Sequence, residues 1–407
     1  MDDAQPSTEE ESLRAAMVDR LRELGAIRRD EVAAAFSRVP RHVFAPEATP
    51  EEAYDTDVVV RTKWHADGIA ISSVSAPQIQ ARMVEQAGIT RGMRVLELGS
   101  GGYNASVIAE LVGPGGHVST VDIDADITER ARRLLDEAGY STVHVVLGDG
   151  ELGCPDSAPF DAIVVTVEAA DIPPAWIEQL IEGGTLTVPL RVRGFTRVIG
   201  FIRRSNWLVS TSKELAGFVP MQGDGERPRR WVPLRDGKVR LQFDEDPCPT
   251  DPEALERAFA AGQAQVWTGV TVRPDESLDT LQTWLATSLA SSCLLSFDNE
   301  DKDLAGSFAD PLISSMCNGF VDGESLAYLT KRELREDTVE IGSHAFGLDA
   351  PALANTWADL VRTWDRVHRH GPGPRYTIYP VDTDHQSADG PVVTKGHVKI
   401  AISWPLP

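Results

Sequence analysis

The sequence predicts an α/β fold with a doubly wound sheet, followed by an α+β domain. Three observations predict it. Between residues 92 and 190, short apolar runs alternate with stretches of helical periodicity. A chain of 407 residues is long for one core, so two domains are expected. A charged stretch rich in Gly and Pro at 224–238 is typical of a linker between them.

The elements follow from local patterns. The polar, acidic residues 1–11 are expected to be disordered, and helices are expected over 13–24 and 30–37. The last two strands of the first domain can pair antiparallel at one sheet edge. The predicted strands are 93–98, 117–123, 142–147, 160–166, 184–190, 196–203 and 206–212. The predicted helices between them are 103–111, 127–138 and 173–183.

A glycine-rich loop, LELGSGGYNAS at 96–106, follows the first of these strands. Asp122 ends the next strand about 20 residues after Gly99, the usual distance for a carboxylate that binds ribose hydroxyls. NAD and S-adenosyl-L-methionine (SAM) both fit these features. Two details favour SAM. Asn104 replaces the third glycine of the dinucleotide motif, and Glu97 would repel a pyrophosphate but suits a cationic ammonium or sulfonium.

A structural glycine turn that binds nothing is the alternative interpretation of this loop. Against it, GDG at 148–150 follows the third strand, where a nucleoside would lie in a doubly wound sheet. The sequence therefore favours a nucleoside cofactor at the carboxyl ends of the strands.

Composition excludes several classes of partner. The net charge is −23 and no basic stripe is visible, so a nucleic-acid partner is not expected. No apolar run approaches the roughly 20 residues of a membrane span, and the N-terminus lacks signal-peptide features, so a cytoplasmic location is expected. No metal-binding spacing of Cys or His is present, and no metal is expected.

Five segments resemble the protein-L-isoaspartate O-methyltransferase (PIMT) family in order and spacing. The resemblance covers residues 12–223 and implies a class I, Rossmann-like fold that binds SAM and methylates a carboxylate in a peptide. The segments are VPRHVFAP (39–46), SAPQIQARM (75–83), VLELGSGGYNAS (95–106), GDGELGCPDSAPFDAIVVT (148–166) and FVPMQG (218–223).

The resemblance also implies roles for individual residues. The implied cofactor-binding residues are Glu97, Gly99, Ser100, Gly101, Asp122, Asp149 and Gly150. Ser75 matches a serine beside the methyl acceptor and is predicted to be the catalytic hydrogen-bond donor; capping of a helix at 77–87 is the alternative role. The predicted substrate contacts are Ser73, Val74, Ser75 and His65. His65 and Lys63 could offer positive charge to the acceptor, but a plain solvated loop is the favoured interpretation of these two residues.

Two departures from the family pattern bear on the substrate. The glycine loop is one residue shorter than the usual G-T-G-S-G-Y, and RTKWHADGIAISSVS (61–75) replaces a segment close to P-I-G-x-G-Q-T-I-S. In the family the second segment borders the peptide pocket. A changed rim implies a changed substrate.

The second half predicts helices at 251–265, 276–291 and 353–370 and closing strands at 375–381 and 397–405, all within a domain spanning 239–407. Trp357 and Trp364 lie on one helix face and are expected in the core, whereas His368 and His370 are expected at the surface. We expect this domain to help recognise a peptide.

The closing sequence HGPGPRYTIYP…IAISWP resembles an extended actinobacterial branch of the family that accompanies ribosomally made lanthipeptides, lasso peptides or graspetides. That resemblance implies methylation of an aspartate in a cyclised precursor peptide, the ester then forming a succinimide (aspartimide) or isoaspartate. Repair of isoaspartyl residues in damaged proteins is one alternative. A binding protein on a methyltransferase fold without turnover is another, and the oligomeric state stays open.

Overall fold

The computed structural model describes residues 8–66, 68, 70–244, 247–248, 250–297, 311–313, 317–383 and 390–405. Its helices are α1 (Glu9–Glu23), α2 (Asp30–Arg38), α3 (Arg41–Phe44), α4 (Pro50–Tyr54), α5 (Pro77–Ala87), α6 (Tyr103–Val112), α7 (Ala125–Glu137), α8 (Pro174–Gln179), α9 (Pro252–Ala261), α10 (Asp279–Ser288) and α11 (Ala350–Val367). None of the helices in these ranges is long and apolar enough to span a bilayer.

The strands form two large sheets and one hairpin. They are β1 (Val60–Trp64), β2 (Ala70–Val74), β3 (Arg94–Leu98), β4 (His117–Asp122), β5 (His144–Leu147), β6 (Phe160–Val165), β7 (Leu180–Val192), β8 (Phe195–Arg204), β9 (Trp207–Leu215), β10 (Arg230–Leu234), β11 (Val239–Phe243), β12 (Gln263–Val272), β13 (Ser292–Phe297), β14 (Cys317–Asp322), β15 (Ser325–Arg335), β16 (Thr338–Phe346), β17 (Arg375–Pro380), β18 (Val392–Thr394) and β19 (Val398–Ser403).

The first sheet confirms the predicted α/β fold. Its order is β18-β19-β17-β9-β8-β7-β6-β3-β4-β5. The strands from β5 to β7 pair in parallel, and β8 and β9 continue antiparallel, as predicted. Strand β3 is buried along most of its length, which is typical of a parallel strand covered on both faces. Strand order reverses beside β3, so the carboxyl ends of β3 and β6 open a crevice there.

The second domain does not extend over the whole predicted range, 239–407, because the last strands belong to the first sheet. Strands β17, β18 and β19 return to the first sheet, where β17 pairs with β9. Their buried residues Tyr376, Ile378 and Ile400 share a core cluster with Ile199 and Phe201 of β8. The alternation of apolar and polar residues predicts a strand but does not say which sheet the strand joins.

Two further boundaries differ from the prediction. Residues 224–238 are not a plain linker, because β10 lies within them and pairs with β11 in the second sheet. Residues 9–11, expected to be disordered, form the first turn of α1, where Thr8 and Glu11 make a reciprocal capping box. Residues 1–7 of that predicted tail lie outside the described residues.

The second sheet and its helices form the α+β domain. Its order is β10-β11-β13-β14-β15-β16-β12, antiparallel throughout. Trp357 and Trp364 of α11 are buried in its core, as predicted. His368 is not at the surface as expected: it is 8% exposed and its ring packs between those of Trp284 and Trp404.

Three helices are shorter than predicted. The helix expected at 251–265 ends at Ala261, because Gln263 begins β12, and the helix expected at 276–291 spans Asp279–Ser288. The expected helix at 173–183 ends at Gln179, because Leu180 begins β7 and pairs with Phe160 at the start of β6.

A buried ion pair joins the two domains: Asp279 of α10 accepts a hydrogen bond of 2.6 Å from Arg197 Nε of β8. Lys213 of β9 contacts the same carboxylate.

Candidate active site

The glycine loop leaves the carboxyl end of β3 and turns into α6. Gly99 has φ of 102°, and a Cβ there would overlap Thr166 Oγ1 at the end of β6, so the position requires glycine. A Cβ on Gly101 would meet only the carbonyl oxygen of Ser73, at 4.0 Å. The loop therefore lies close to β6 on one side and opens toward the β1–β2 hairpin on the other.

Asp122 lies beside this loop at the end of β4. Its Oδ2 accepts a hydrogen bond from the backbone N–H of Ser100 at 3.0 Å, and its Oδ1 accepts one from the backbone N–H of Asp124 at 3.0 Å. Burial raises the pKa of Asp122, against these hydrogen bonds. The carboxylate is thus held in a fixed orientation where a ribose would bind.

Glu97 lies at the floor of the same cleft and is 1% exposed. Thr120 Oγ1 donates to its Oε2 at 2.6 Å, and Asn104 Nδ2 donates to its Oε1 at 2.8 Å. Burial raises the pKa of Glu97 to about 7, and the two hydrogen bonds offset part of that rise. Asn104, which replaces a glycine of the dinucleotide motif, therefore has a structural role in holding the acid.

The polar groups of this cleft fit SAM. Ser100 Oγ and Asn104 Oδ1 are buried and have no hydrogen-bond partner among the described residues. Both residues line the cleft together with Glu97, Gly99 and Asp122. Unpaired buried polar atoms are costly, so their concentration here indicates a place for a polar ligand.

Of the two predicted cofactor-binding residues after β5, Asp149 and Gly150, only Gly150 lines the cleft. Gly150 lines the cleft near Met221 and Ile123. Asp149 instead accepts hydrogen bonds from the backbone N–H groups of Glu151 at 2.9 Å and Asp224 at 2.8 Å. Its carboxylate fixes the chain around the cleft, and a direct contact with the cofactor stays a prediction.

A second cavity, of about 860 Å³, adjoins the cofactor cleft. Ser73, Ser75, Thr166 and Val219 line both spaces and form the junction between them. The capping role considered for Ser75 is wrong: the N-cap of α5 is Ala76, without a side-chain hydrogen bond, and Pro77 follows it. Ser75 therefore lies at the junction of the cofactor cleft and the larger cavity.

The other predicted substrate contacts lie further from this junction. Val74 lines the cofactor cleft but not the larger cavity. His65 is exposed in the turn of the hairpin and lines neither space. Lys63, which was considered with it, pairs with Asp124 at 2.6 Å and Asp126 at 2.8 Å and so ties the hairpin to the start of α7.

Several residues of the site were not predicted. Arg41 is fully buried and donates from Nη2 to the carbonyl oxygen of Ser75 at 2.8 Å. Glu168, Arg229 and Gln282 line the larger cavity. Arg41 lies in the segment VPRHVFAP, and the junction residues Thr166 and Val219 lie in two other segments of the resemblance. The remaining three lie outside all five segments, in loops and in the second domain.

The strand order and the cleft define a class I, SAM-dependent methyltransferase. Residues 11–226 match the family model described as protein-L-isoaspartate(D-aspartate) O-methyltransferase (PCMT). The chain belongs to this family, and its enzyme class is that of SAM-dependent protein (iso)aspartate O-methyltransferases.

Curated relatives carry the same family name. The protein-L-isoaspartate O-methyltransferase of Ignicoccus hospitalis is 40% identical over 200 residues, which are 48% of this chain and 91% of the relative. That of Methanothermobacter thermautotrophicus is 39% identical over 214 residues, 52% of this chain and 95% of the relative. These alignments leave about half of the chain unmatched.

The whole chain is similar in fold to a solved protein-L-isoaspartate O-methyltransferase. That structure has a TM-score of 0.52 and 21% identity, and the alignment covers 96% of this chain and 99% of the other. At this identity the similarity concerns the fold alone. It extends over both domains of the present chain.

Proposed function

We propose that this protein uses SAM to methylate the carboxylate of isoaspartyl residues in peptides and damaged proteins. The family and its curated relatives support this substrate. The observation that carries the proposal is the position of Ser75, which lines both the cofactor cleft and the cavity of about 860 Å³. A peptide carboxylate in that cavity would reach the junction beside this serine.

The residues of the cleft would hold the cofactor. Glu97 and Asn104 would face its cationic methionine end, and Asp122, fixed by Ser100, would bind the ribose. When bound, SAM supplies an electrophilic methyl group on a sulfonium. The acceptor carboxylate has an ordinary pKa near 4 and is ionised at neutral pH, so the site needs no general base.

Orientation is then the main contribution of the protein to the reaction. The Ser75 hydroxyl would donate a hydrogen bond to one carboxylate oxygen and direct the other oxygen along the line of methyl transfer. The carboxylate oxygen forms the new bond to the methyl carbon, and the electron pair of the broken carbon–sulfur bond stays on sulfur. Thr166 and Val219 complete the wall at this point.

The ester is activated for a step that needs no further residue. The backbone amide nitrogen of the next residue attacks the ester carbonyl, methanol leaves, and a succinimide forms. Water then opens the succinimide to aspartate or isoaspartate. Because only isoaspartate is methylated again, repeated cycles convert isoaspartate to aspartate and so repair the damaged residue.

A second candidate function has its own supporting observation. Gln282 of α10 and Ile313, both in the second domain, line the cavity. Arg61, from the β1–β2 hairpin whose sequence departs from the family pattern, lines it as well. A large cavity with walls from two domains suits a bulky, cyclised peptide. Under this proposal the protein methylates an ordinary aspartate of a ribosomally made lanthipeptide, lasso peptide or graspetide, as in the actinobacterial branch, leaving an aspartimide or isoaspartate.

Intact mass spectrometry separates the two functions. The enzyme and SAM are incubated with a linear isoaspartyl peptide, the same peptide with aspartate, and a cyclised precursor peptide with aspartate. Methylation of the isoaspartyl peptide alone supports repair. A gain of one methyl group followed by loss of methanol on the cyclised peptide alone supports tailoring and contradicts repair. Methylation of none of them contradicts both.

A further inference from the structure

The cavity beside Ser75 is positively charged in a chain whose net charge is −23. Its charged lining residues are Arg61 of β1, Glu168 after β6, and Arg229 just before β10. Two guanidinium groups and one carboxylate thus line this cavity of about 860 Å³. Such a lining attracts anions and repels cations.

The carboxylate of Glu168 is fully engaged. Its Oε1 accepts from Arg191 Nη1 at 2.9 Å, and its Oε2 accepts from Arg229 Nη2 at 2.7 Å and from the Thr196 hydroxyl. Arg191 is in turn paired with Asp244 at 2.7 Å. Glu168 is therefore an anchor that fixes the Arg229 guanidinium, and it leaves no free acid to bind a cationic substrate group.

Arg229 retains unused donors. Its Nε is buried and has no hydrogen-bond partner among the described residues. The Arg229 side chain lines the cavity and is 31% exposed, and a guanidinium can give a carboxylate two parallel hydrogen bonds. The methyl acceptor itself would lie at the junction beside Ser75, and Arg229 lines the larger cavity but not the cofactor cleft.

We propose that Arg229, positioned by Glu168, binds a second carboxylate of the substrate: the side chain of an aspartate or glutamate near the methylated residue. This inference rests on the proposed carboxyl methylation. Arg229 lies beyond residue 226, where the family match ends, and shares the cavity with Gln282 and Ile313 of the second domain. The part of the chain outside the family match would thus determine a preference for acidic peptides.

The test uses pairs of isoaspartyl peptides, and matching aspartyl peptides, with glutamate or glutamine at each of the positions flanking the acceptor. For the full-length protein we expect kcat/KM to be higher for glutamate, on the order of tenfold, at one flanking position. Arg229→Gln is expected to bring that ratio to about one, and Arg229→Lys to retain part of it. Arg61→Gln is the matched control, because it removes a charge from the same cavity and should leave most of the ratio.

Several outcomes overturn the inference. One is a wild-type protein that methylates both peptides of every pair equally. Another is an Arg61→Gln variant that loses the ratio as fully as Arg229→Gln does. The preference would then arise from the total charge of the cavity and not from Arg229. A third is an Arg229→Gln variant with SAM affinity intact and an unchanged ratio. If the wild type methylates no peptide of either kind, the proposed function itself fails.

Discussion

Arg41 is buried against Ser75 and holds its backbone. Arg41 Nη2 donates to the Ser75 carbonyl oxygen at 2.8 Å, Nε donates to the Ala53 carbonyl oxygen at 2.6 Å, and Nη1 donates to Gln80 Oε1 at 2.8 Å. Its guanidinium carbon lies 4.8 Å from the centre of the Tyr103 ring. Burial lowers the pKa of Arg41 to about 10, so the group stays charged at neutral pH. One side chain thus fixes the turn that carries the candidate catalytic serine.

Replacing Arg41 is expected to damage stability and catalysis together. Arg41→Met leaves three buried acceptors without their donor, so urea denaturation should show a loss of about 3 kcal/mol or more. The freed Ser75 turn should lower kcat on the order of tenfold. Arg38→Met is the control, because the Arg38 side chain, which pairs with Glu110, is 61% exposed, and this pair should be worth less than about 1 kcal/mol. Equal losses in the two variants would contradict the anchoring role.

Ser75 is expected to act on the acceptor and not on the fold. Because the N-cap of α5 is Ala76, Ser75→Ala should change the free energy of unfolding by less than about 0.5 kcal/mol. Loss of the hydrogen bond to an anionic acceptor should lower kcat/KM roughly tenfold to a hundredfold, with SAM affinity unchanged in calorimetry.

The control for Ser75 is Ser37→Ala, because the Ser37 hydroxyl donates to the Ala33 carbonyl oxygen of its own helix, at 2.8 Å. It should leave kcat/KM unaltered. A Ser75→Ala variant that loses stability by about 1 kcal/mol but keeps its kcat/KM would indicate a structural role for the serine.

Much of the cofactor cleft could be predicted because its signals are local. The glycine loop, Asp122 and the alternating strands are each defined by neighbours in sequence, and the cleft follows from them by topology. Glu97 was predicted as an acid beside the loop. Its burial and its hydrogen bond from Asn104 depend on packing that a single loop sequence does not show.

The substrate side could not be predicted in the same way. Arg229 lies in a stretch whose charge and glycine content are typical of a linker, and it acquires a role only because Glu168, 61 positions earlier, meets it. His368 was expected at a solvated helix end, but Trp404, which follows the last strand, packs against its ring. Such contacts join residues far apart in sequence, where periodicity carries no information.

Glu97 is expected to make stability depend on pH. Its pKa is about 7 in the folded protein against a reference value of 4.5. Between these two pH values the folded state therefore keeps a proton that the unfolded state has lost. The free energy of unfolding should therefore fall as pH rises from about 4.5 to about 7. The full penalty, roughly 3 kcal/mol at 1.36 kcal/mol per pKa unit, is present above that range.

The test is Glu97→Gln, measured by urea denaturation at about pH 5 and about pH 8. The introduced amide can keep both hydrogen bonds if the Asn104 amide turns over, since Asn104 Oδ1 has no partner among the described residues. The variant should gain stability over wild type mainly at the higher pH, and bind SAM more weakly. Glu137→Gln, at an exposed site, should show no such trend. A pH-independent difference would contradict the raised pKa.

The return of the chain to the first sheet predicts that the family-matched half does not fold well alone. A chain ending at residue 226 loses β17 from the edge of β9. It also loses Tyr376, Ile378 and Ile400 from the core, at about 1.5–3 kcal/mol for each buried side chain. We expect this truncated chain to be largely insoluble, or to lack a cooperative thermal transition.

The matched control for this truncation removes the second sheet together with α9, α10 and α11. Residues 230–370 are replaced by a flexible Gly/Ser linker of about 15 residues, so that β17 to β19 can still pair with β9. This shorter protein should be more soluble than the chain ending at 226 and should bind SAM, because the cleft residues from Glu97 to Gly150 all precede the deletion. Circular dichroism melting and calorimetry with SAM measure both properties. If the chain ending at 226 melts cooperatively and binds SAM as tightly as the internal deletion, the three returning strands are dispensable for the first domain, and their buried side chains do not stabilise it as we infer.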